Sequence, residues 1–134
     1  MNARGIAITL SAVALAACAH RPRKVYIADN DPLLHAIVAD VSDGIGEVYE
    51  ASETILIPTR AMTGTFNNTL INALRDRGFT FRADGIGEPF DCRVDVFEGP
   101  IYRVEAHVGT TTLSRLWVLN GADAYSGGSW ARTE

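Results

Sequence analysis

An α+β fold is what this chain predicts, with two helices packed on one face of a mainly antiparallel sheet. Three patterns carry that expectation. Apolar residues recur at helical spacing in two stretches of the first half, and strict alternation takes over after residue 92. Glycine-bearing turns then cut the second half into runs of hairpin-strand length. Helices followed by strands is the order in which helices segregate to one face of an antiparallel sheet.

Asp31-Pro32 opens the first helix. Aspartate is a good N-cap, and proline is tolerated at the first helical position. Leu34, Ile37, Val38, Val41, Ile45 and Val48 follow at intervals of three and four, which makes one apolar stripe ending near Glu50. Asp40, Asp43 and Glu47 lie largely off it. Gly44 and Gly46 weaken the helix by about 1 kcal/mol each relative to alanine, and they permit close approach to a sheet. Thr54-Ile55-Leu56-Ile57, halted by Pro58, reads as a strand. A second helix is expected over 63–77, with Met62, Phe66, Leu70, Ala73 and Leu74 on one face. Gly78 is its stop signal, and Arg75 and Arg77 complement its dipole. Phe79-Thr80-Phe81-Arg82 alternates, so strand, helix and strand make a βαβ-like unit. Residues 84–89 read as a loop. Its Gly85-Ile86-Gly87 lacks the third glycine of a nucleotide fingerprint and opens no helix. Antiparallel strands are expected over 92–97, 102–108, 112–119 and a closing piece at 129–132. Turns fall at Gly99-Pro100, Gly109 and Asn120-Gly121. Alternation points Tyr102, Val104, Ala106 and Val108 inward and Arg103, Glu105 and His107 outward.

The first 17 residues read as a leader. Arg4 is a positive n-region, residues 5–15 are apolar, and Leu15-Ala16-Ala17-Cys18 is a small-residue cleavage site ending in cysteine. That is the pattern of a bacterial lipoprotein signal, with lipid attached to Cys18. Residues 5–19 are too few for a transmembrane helix, which needs about 20 apolar residues. Acyl chains contribute about 0.8 kcal/mol per buried methylene, so two or three hold firmly where one does not. Ala19, where aspartate would favour retention at the inner membrane, points to the periplasmic face of the outer membrane. The expected organisation is a signal peptide at 1–17, a lipidated tether at 18–30 and one periplasmic domain at 31–134. Arg21, Arg23 and Lys24 give the tether three fixed positive charges. They read equally as headgroup contacts or as a solvated linker. Val25, Tyr26 and Ile27 interrupt that polarity, either as a strand for a partner's sheet edge or as the start of the domain.

Charge and chemistry narrow the function. Without Arg4, 11 basic residues face 16 acidic ones, a balance of −5 that argues against nucleic-acid binding. With Cys18 committed to lipid, Cys92 has no internal disulfide partner and is expected to be a buried small hydrophobe; Asp91 and Asp95 would raise its pKa. Asp95, Arg103, Glu105 and His107 can share an exposed sheet face, as cross-strand ion pairs or as a periplasmic enzyme's site. No His-x-x-x-His or Cys-x-x-Cys spacing offers a metal site, and no motif calls for a cofactor or a catalytic residue. Trp117, Tyr125 and Trp130 read as core or interface anchors. Together with Val25, Tyr26 and Ile27 they are the candidate partner surface.

Several segments, in order, resemble one family. They are Leu74-Arg75-Asp76-Arg77-Gly78-Phe79, Ile101-Tyr102-Arg103-Val104, His107-Val108-Gly109, Leu113-Ser114-Arg115 and Gly128-Ser129-Trp130-Ala131-Arg132-Thr133-Glu134. Behind a lipoprotein signal, this set resembles TrbH, a small lipoprotein family of conjugative transfer systems. The resemblance implies a component of the mating-pair-formation apparatus, a type IV secretion channel. Its partners would be other channel subunits and the membrane that holds Cys18. It carries over no catalytic residue. A general envelope lipoprotein that assists another outer-membrane complex fits the same residues.

Overall fold

The structure, a computed structural model, describes residues 23–24 and 31–134. The leader 1–17, Cys18, and Val25, Tyr26 and Ile27 lie outside the described residues. Along the chain come β1 (Arg23–Lys24), α1 (Pro32–Val48), β2 (Ile55–Pro58), α2 (Thr65–Asp76), β3 (Thr80–Phe81), β4 (Glu88–Glu98), β5 (Ile101–Val108), β6 (Thr111–Asn120) and β7 (Asp123–Thr133). A 3-10 turn at Ala51–Glu53 joins α1 to β2.

α1 begins as its sequence dictates. The Leu33 N–H donates to Asp31 Oδ1 at 2.9 Å, and proline sits in the first turn. Leu34, Ile37, Val38, Val41 and Ile45 are all buried. The helix stops at Val48, two residues before the expected end. Tyr49 turns into extended backbone there, and its hydroxyl donates to the Val108 carbonyl at 2.8 Å. That contact pins the β5–β6 turn to the end of α1. α2 buries Leu70 and Leu74 and gives way at Gly78, whose φ of 103° suits only glycine.

The sheet runs β3-β2-β4-β5-β6-β7, with β1 also paired to β4. β2 and β3 are parallel with α2 between them, which confirms the βαβ unit. The β4–β5, β5–β6 and β6–β7 pairs are antiparallel. Both helices cover the face that carries Phe90, Cys92, Val104, Ala106, Val108, Leu113 and Trp117. The α+β class, with two helices on a mainly antiparallel sheet, is therefore the observed one.

β5 and β6 exceed their expected bounds by a residue at one or both ends, and β4 and β7 are longer by several. β4 starts at Glu88, inside the segment read as a loop, because Glu88, Pro89 and Phe90 pair in parallel with Leu56, Ile57 and Pro58. β7 starts at Asp123 instead of 129. Gly127-Gly128 breaks the alternation, yet the strand continues through a register shift opposite Ser114–Leu116. Such a bulge re-aims side chains, and this one sends Trp130 toward α1. The Gly128 carbonyl accepts from Arg115 Nη2 at 2.7 Å.

A polar clamp closes the seam between α1 and the sheet. Arg115 Nη1 donates to Asp40 Oδ1 at 2.6 Å, and Trp117 Nε1 donates to Asp40 Oδ2 at 3.2 Å. The Arg115 guanidinium also lies 5.7 Å from the Trp130 ring centroid. Gly44 makes room for that ring. A Cβ at Gly44 would stand 2.9 Å from Trp130 Nε1, closer than such contacts allow. Overpacking of this kind costs about 1–3 kcal/mol. Gly44→Val should therefore lower the urea midpoint of unfolding and shift tryptophan emission to the red. Unchanged stability and emission would show that Trp130 does not seat on α1.

Candidate functional site

The helices leave the other face of the sheet uncovered, and register fixes what it carries. Asp91, Arg93 and Asp95 of β4 stand opposite His107, Glu105 and Arg103 of β5. The same rows continue to Thr112, Ser114 and Leu116 of β6. Arg103 lies 3.8 Å from Asp95 and 3.7 Å from Glu105. His107 Nδ1 lies 3.0 Å from Thr112 Oγ1, and its Nε2 is 4.0 Å from Glu105 Oε2. Opposite charges alternate across the strands in a ladder open to water, where each such pair contributes little. Among the described residues no group of three or more His, Cys, Asp and Glu gathers as a metal site would require.

Asp91 stands apart because it is buried on this otherwise wet face. Arg60 Nε donates to one carboxylate oxygen at 2.7 Å, and Arg93 Nε donates to the other at 2.8 Å. Arg60 Nη2 also donates to the Cys92 carbonyl at 2.8 Å. This places Arg60 on the outer edge of β4, between the stretch paired with β2 and the stretch paired with β1. Sequence reading named Asp91 only as a neighbour of Cys92 and did not join it to Arg60. They are 31 residues apart, and only the parallel β2–β4 pairing joins them.

Cys92 points inward and is fully buried. Burial first, then the Asp91 carboxylate, pushes its thiol from 9.0 up to about 12, against an opposing pull from Arg60. A thiol held so far from thiolate is a packing group, not a nucleophile.

The candidate partner residues fall into different surroundings. Trp117 is buried and tied to Asp40. Trp130 is half-buried against Gly44. Tyr125, by contrast, is 55% exposed. It stands opposite Val118, which stands opposite Ile101, so the three form one row on the uncovered face. The next row brings Leu116, 38% exposed, and Phe97 at the end of β4 is 47% exposed. Among the described residues, three of the four exposed large apolar side chains thus lie toward the end of the sheet that carries the Gly99-Pro100 and Gly121 turns; the fourth, Ile86, precedes β4 at the other end. The signal for this patch was present in Leu116-Trp117-Val118-Leu119. Four consecutive apolar residues in a strand make both faces apolar, whereas Thr112 and Ser114 keep the rest of the outer face polar.

A family model described as Conjugal transfer protein TrbH matches residues 22–134. No curated protein and no solved structure matches the chain.

The Cys92 environment has a pH signature. The folded thiol keeps its proton to higher pH than the unfolded one, so its contribution is intact below pH 9.0 and is lost as pH rises toward about 12. In urea titrations the stability advantage of the native chain over Cys92→Ala should narrow as pH climbs through that window. A constant difference would contradict the burial.

Proposed function

The chain belongs to the TrbH family of conjugal transfer proteins, and from that premise we propose that it is an outer-membrane lipoprotein of a conjugative type IV secretion apparatus. The family match over residues 22–134 supports the conjugal-transfer part of this reading. The Leu15-Ala16-Ala17-Cys18 sequence supports the anchor, and Ala19 supports the outer membrane. Among the described residues no helix is long and apolar enough to cross a bilayer. In this reading a lipid on Cys18 supplies the attachment, with residues 1–17 as the removed leader, 18–30 as the tether and 31–134 as the periplasmic domain.

The role is tethering, not catalysis. Lipid fixes one end of the chain, and the domain offers surface to neighbouring channel subunits. Among the described residues β7 closes one side of the sheet order, so its outer backbone edge offers a place for strand addition. The bulge at Gly128 divides that edge into two shorter stretches and limits uncontrolled pairing. Copies confined to one membrane meet a multi-subunit channel at high effective concentration, so weak single contacts suffice.

Cys18→Ala tests the anchor. The variant should leave the outer-membrane fraction as a soluble or inner-membrane precursor. Transfer frequency should fall by about a hundredfold, the scale of avidity lost with confinement. Unchanged fractionation would refute anchoring through Cys18.

A further inference from the structure

The pairing of β1 determines which part of the domain meets the membrane. Arg23 stands opposite Val96 and Lys24 opposite Asp95, in antiparallel sense. The N-terminal side of β1 is therefore directed toward Phe97 and the β4–β5 turn. Cys18 precedes Arg23 by five residues, and five residues fully extended reach at most about 18 Å. An anchor on Cys18 thus brings this one end of the sheet close to the lipid surface. The opposite end, with the Gly109 turn and Ile86, lies a β-strand's length further off.

That same end carries three of the four exposed large apolar side chains among the described residues, the exception being Ile86 at the far end. Exposed Tyr125 forms a row with half-buried Val118 and Ile101, exposed Leu116 adjoins that row, and Phe97 is exposed at the end of β4. An apolar patch at one end of a sheet face that otherwise carries charged and polar side chains marks a contact surface. The chemistry suits a headgroup layer. Tyrosine favours the membrane interface, where its ring is dry and its hydroxyl wet. Arg21, Arg23 and Lys24 add three positive charges within the segment that leads to it, and such charges are drawn to anionic lipid. Asp123 at the β6–β7 turn sets the depth: a carboxylate there belongs among headgroups, not in hydrocarbon. Asp95 is paired with Arg103 and so does not oppose the contact.

We propose that the turn-bearing end of the sheet, with Ile101, Leu116, Val118 and Tyr125, rests on the headgroup layer of the membrane that holds the anchor. The domain then stands end-on, with the β5–β6 turn pointing into the periplasm and the β7 edge free along its side. This rests on the Cys18 anchor proposed above and adds an orientation to it.

The test places a single spin label on the full chain in vesicles of phosphatidylethanolamine and phosphatidylglycerol. Tyr125→Cys and Leu116→Cys report the proposed contact, and Thr110→Cys in the β5–β6 turn reports the far end. Cys92 is buried and protonated, so it does not take the label. At 125 and 116 collisions with oxygen should exceed those with a water-soluble nickel chelate, and at 110 the order should reverse. Intact mass of the same sample reports whether Cys18 is acylated. An acylated, vesicle-bound chain with all three labels equally open to nickel would overturn the orientation alone. A chain without acyl groups would overturn the anchor and the orientation together. Labels at 125 and 116 that are wet in vesicles but shielded in native membranes containing the transfer apparatus would assign the patch to a protein subunit and overturn the lipid contact.

Discussion

The seating of the α1 stripe on the sheet is the interaction on which the rest of this structure depends. Ile37, Val41 and Ile45 lie in one dry core with Phe90, Val104 and Val108. Burying such side chains stabilises by about 1.5–3 kcal/mol each. That burial commits one face of β4–β6 to the interior and leaves the other to water. The Asp40–Arg115–Trp117 clamp and the Trp130 ring over Gly44 then hold β6 and the bulged β7 to the same helix. Without α1 in place the bulge would have nothing to aim at.

β4 is the second constraint. One edge pairs with β5 along nearly its whole length, while the other is shared by β2 at its start and β1 near its end. Arg60 occupies the interval, satisfying the Cys92 carbonyl and the Asp91 carboxylate at once. A buried carboxylate is costly unless its oxygens are met by charged donors, and Asp91 has one on each oxygen. The same division of the edge lets β1 dock where it does. An electrostatic detail in the fold thereby bears on how the domain would stand relative to the proposed anchor on Cys18.

Much of this was legible in the residues. The Asp31-Pro32 cap, the 3.6-residue stripe of α1, the alternation of Val104, Ala106 and Val108, and the glycine turns are local signals, and the structure repeats them. What was not legible depends on distant partners. Glu88-Pro89 reads as loop until β2 lies beside it. Gly127-Gly128 reads as an interruption until Arg115 receives the Gly128 carbonyl and Trp130 finds Gly44. Trp117 and Tyr125 read alike in sequence, but their strand register puts one on the dry face and the other on the open face. The outer charge ladder was legible as a set, whereas the burial of Asp91 within it depends on Arg60.

The tethering role proposed for this conjugal transfer protein needs a fixed end, an orientation and a partner. The leader sequence argues for the first, the β1 pairing for the second, and family membership for the third. The partner is the central claim, and one measurement reaches it most directly. The C-terminally tagged chain would be captured in mild detergent from membranes of conjugation-competent cells and its companions identified by mass spectrometry. The account predicts secretion-channel subunits that disappear when Cys18 is replaced by alanine. Recovery of an unrelated envelope complex, or of channel subunits in equal yield without Cys18, would contradict it.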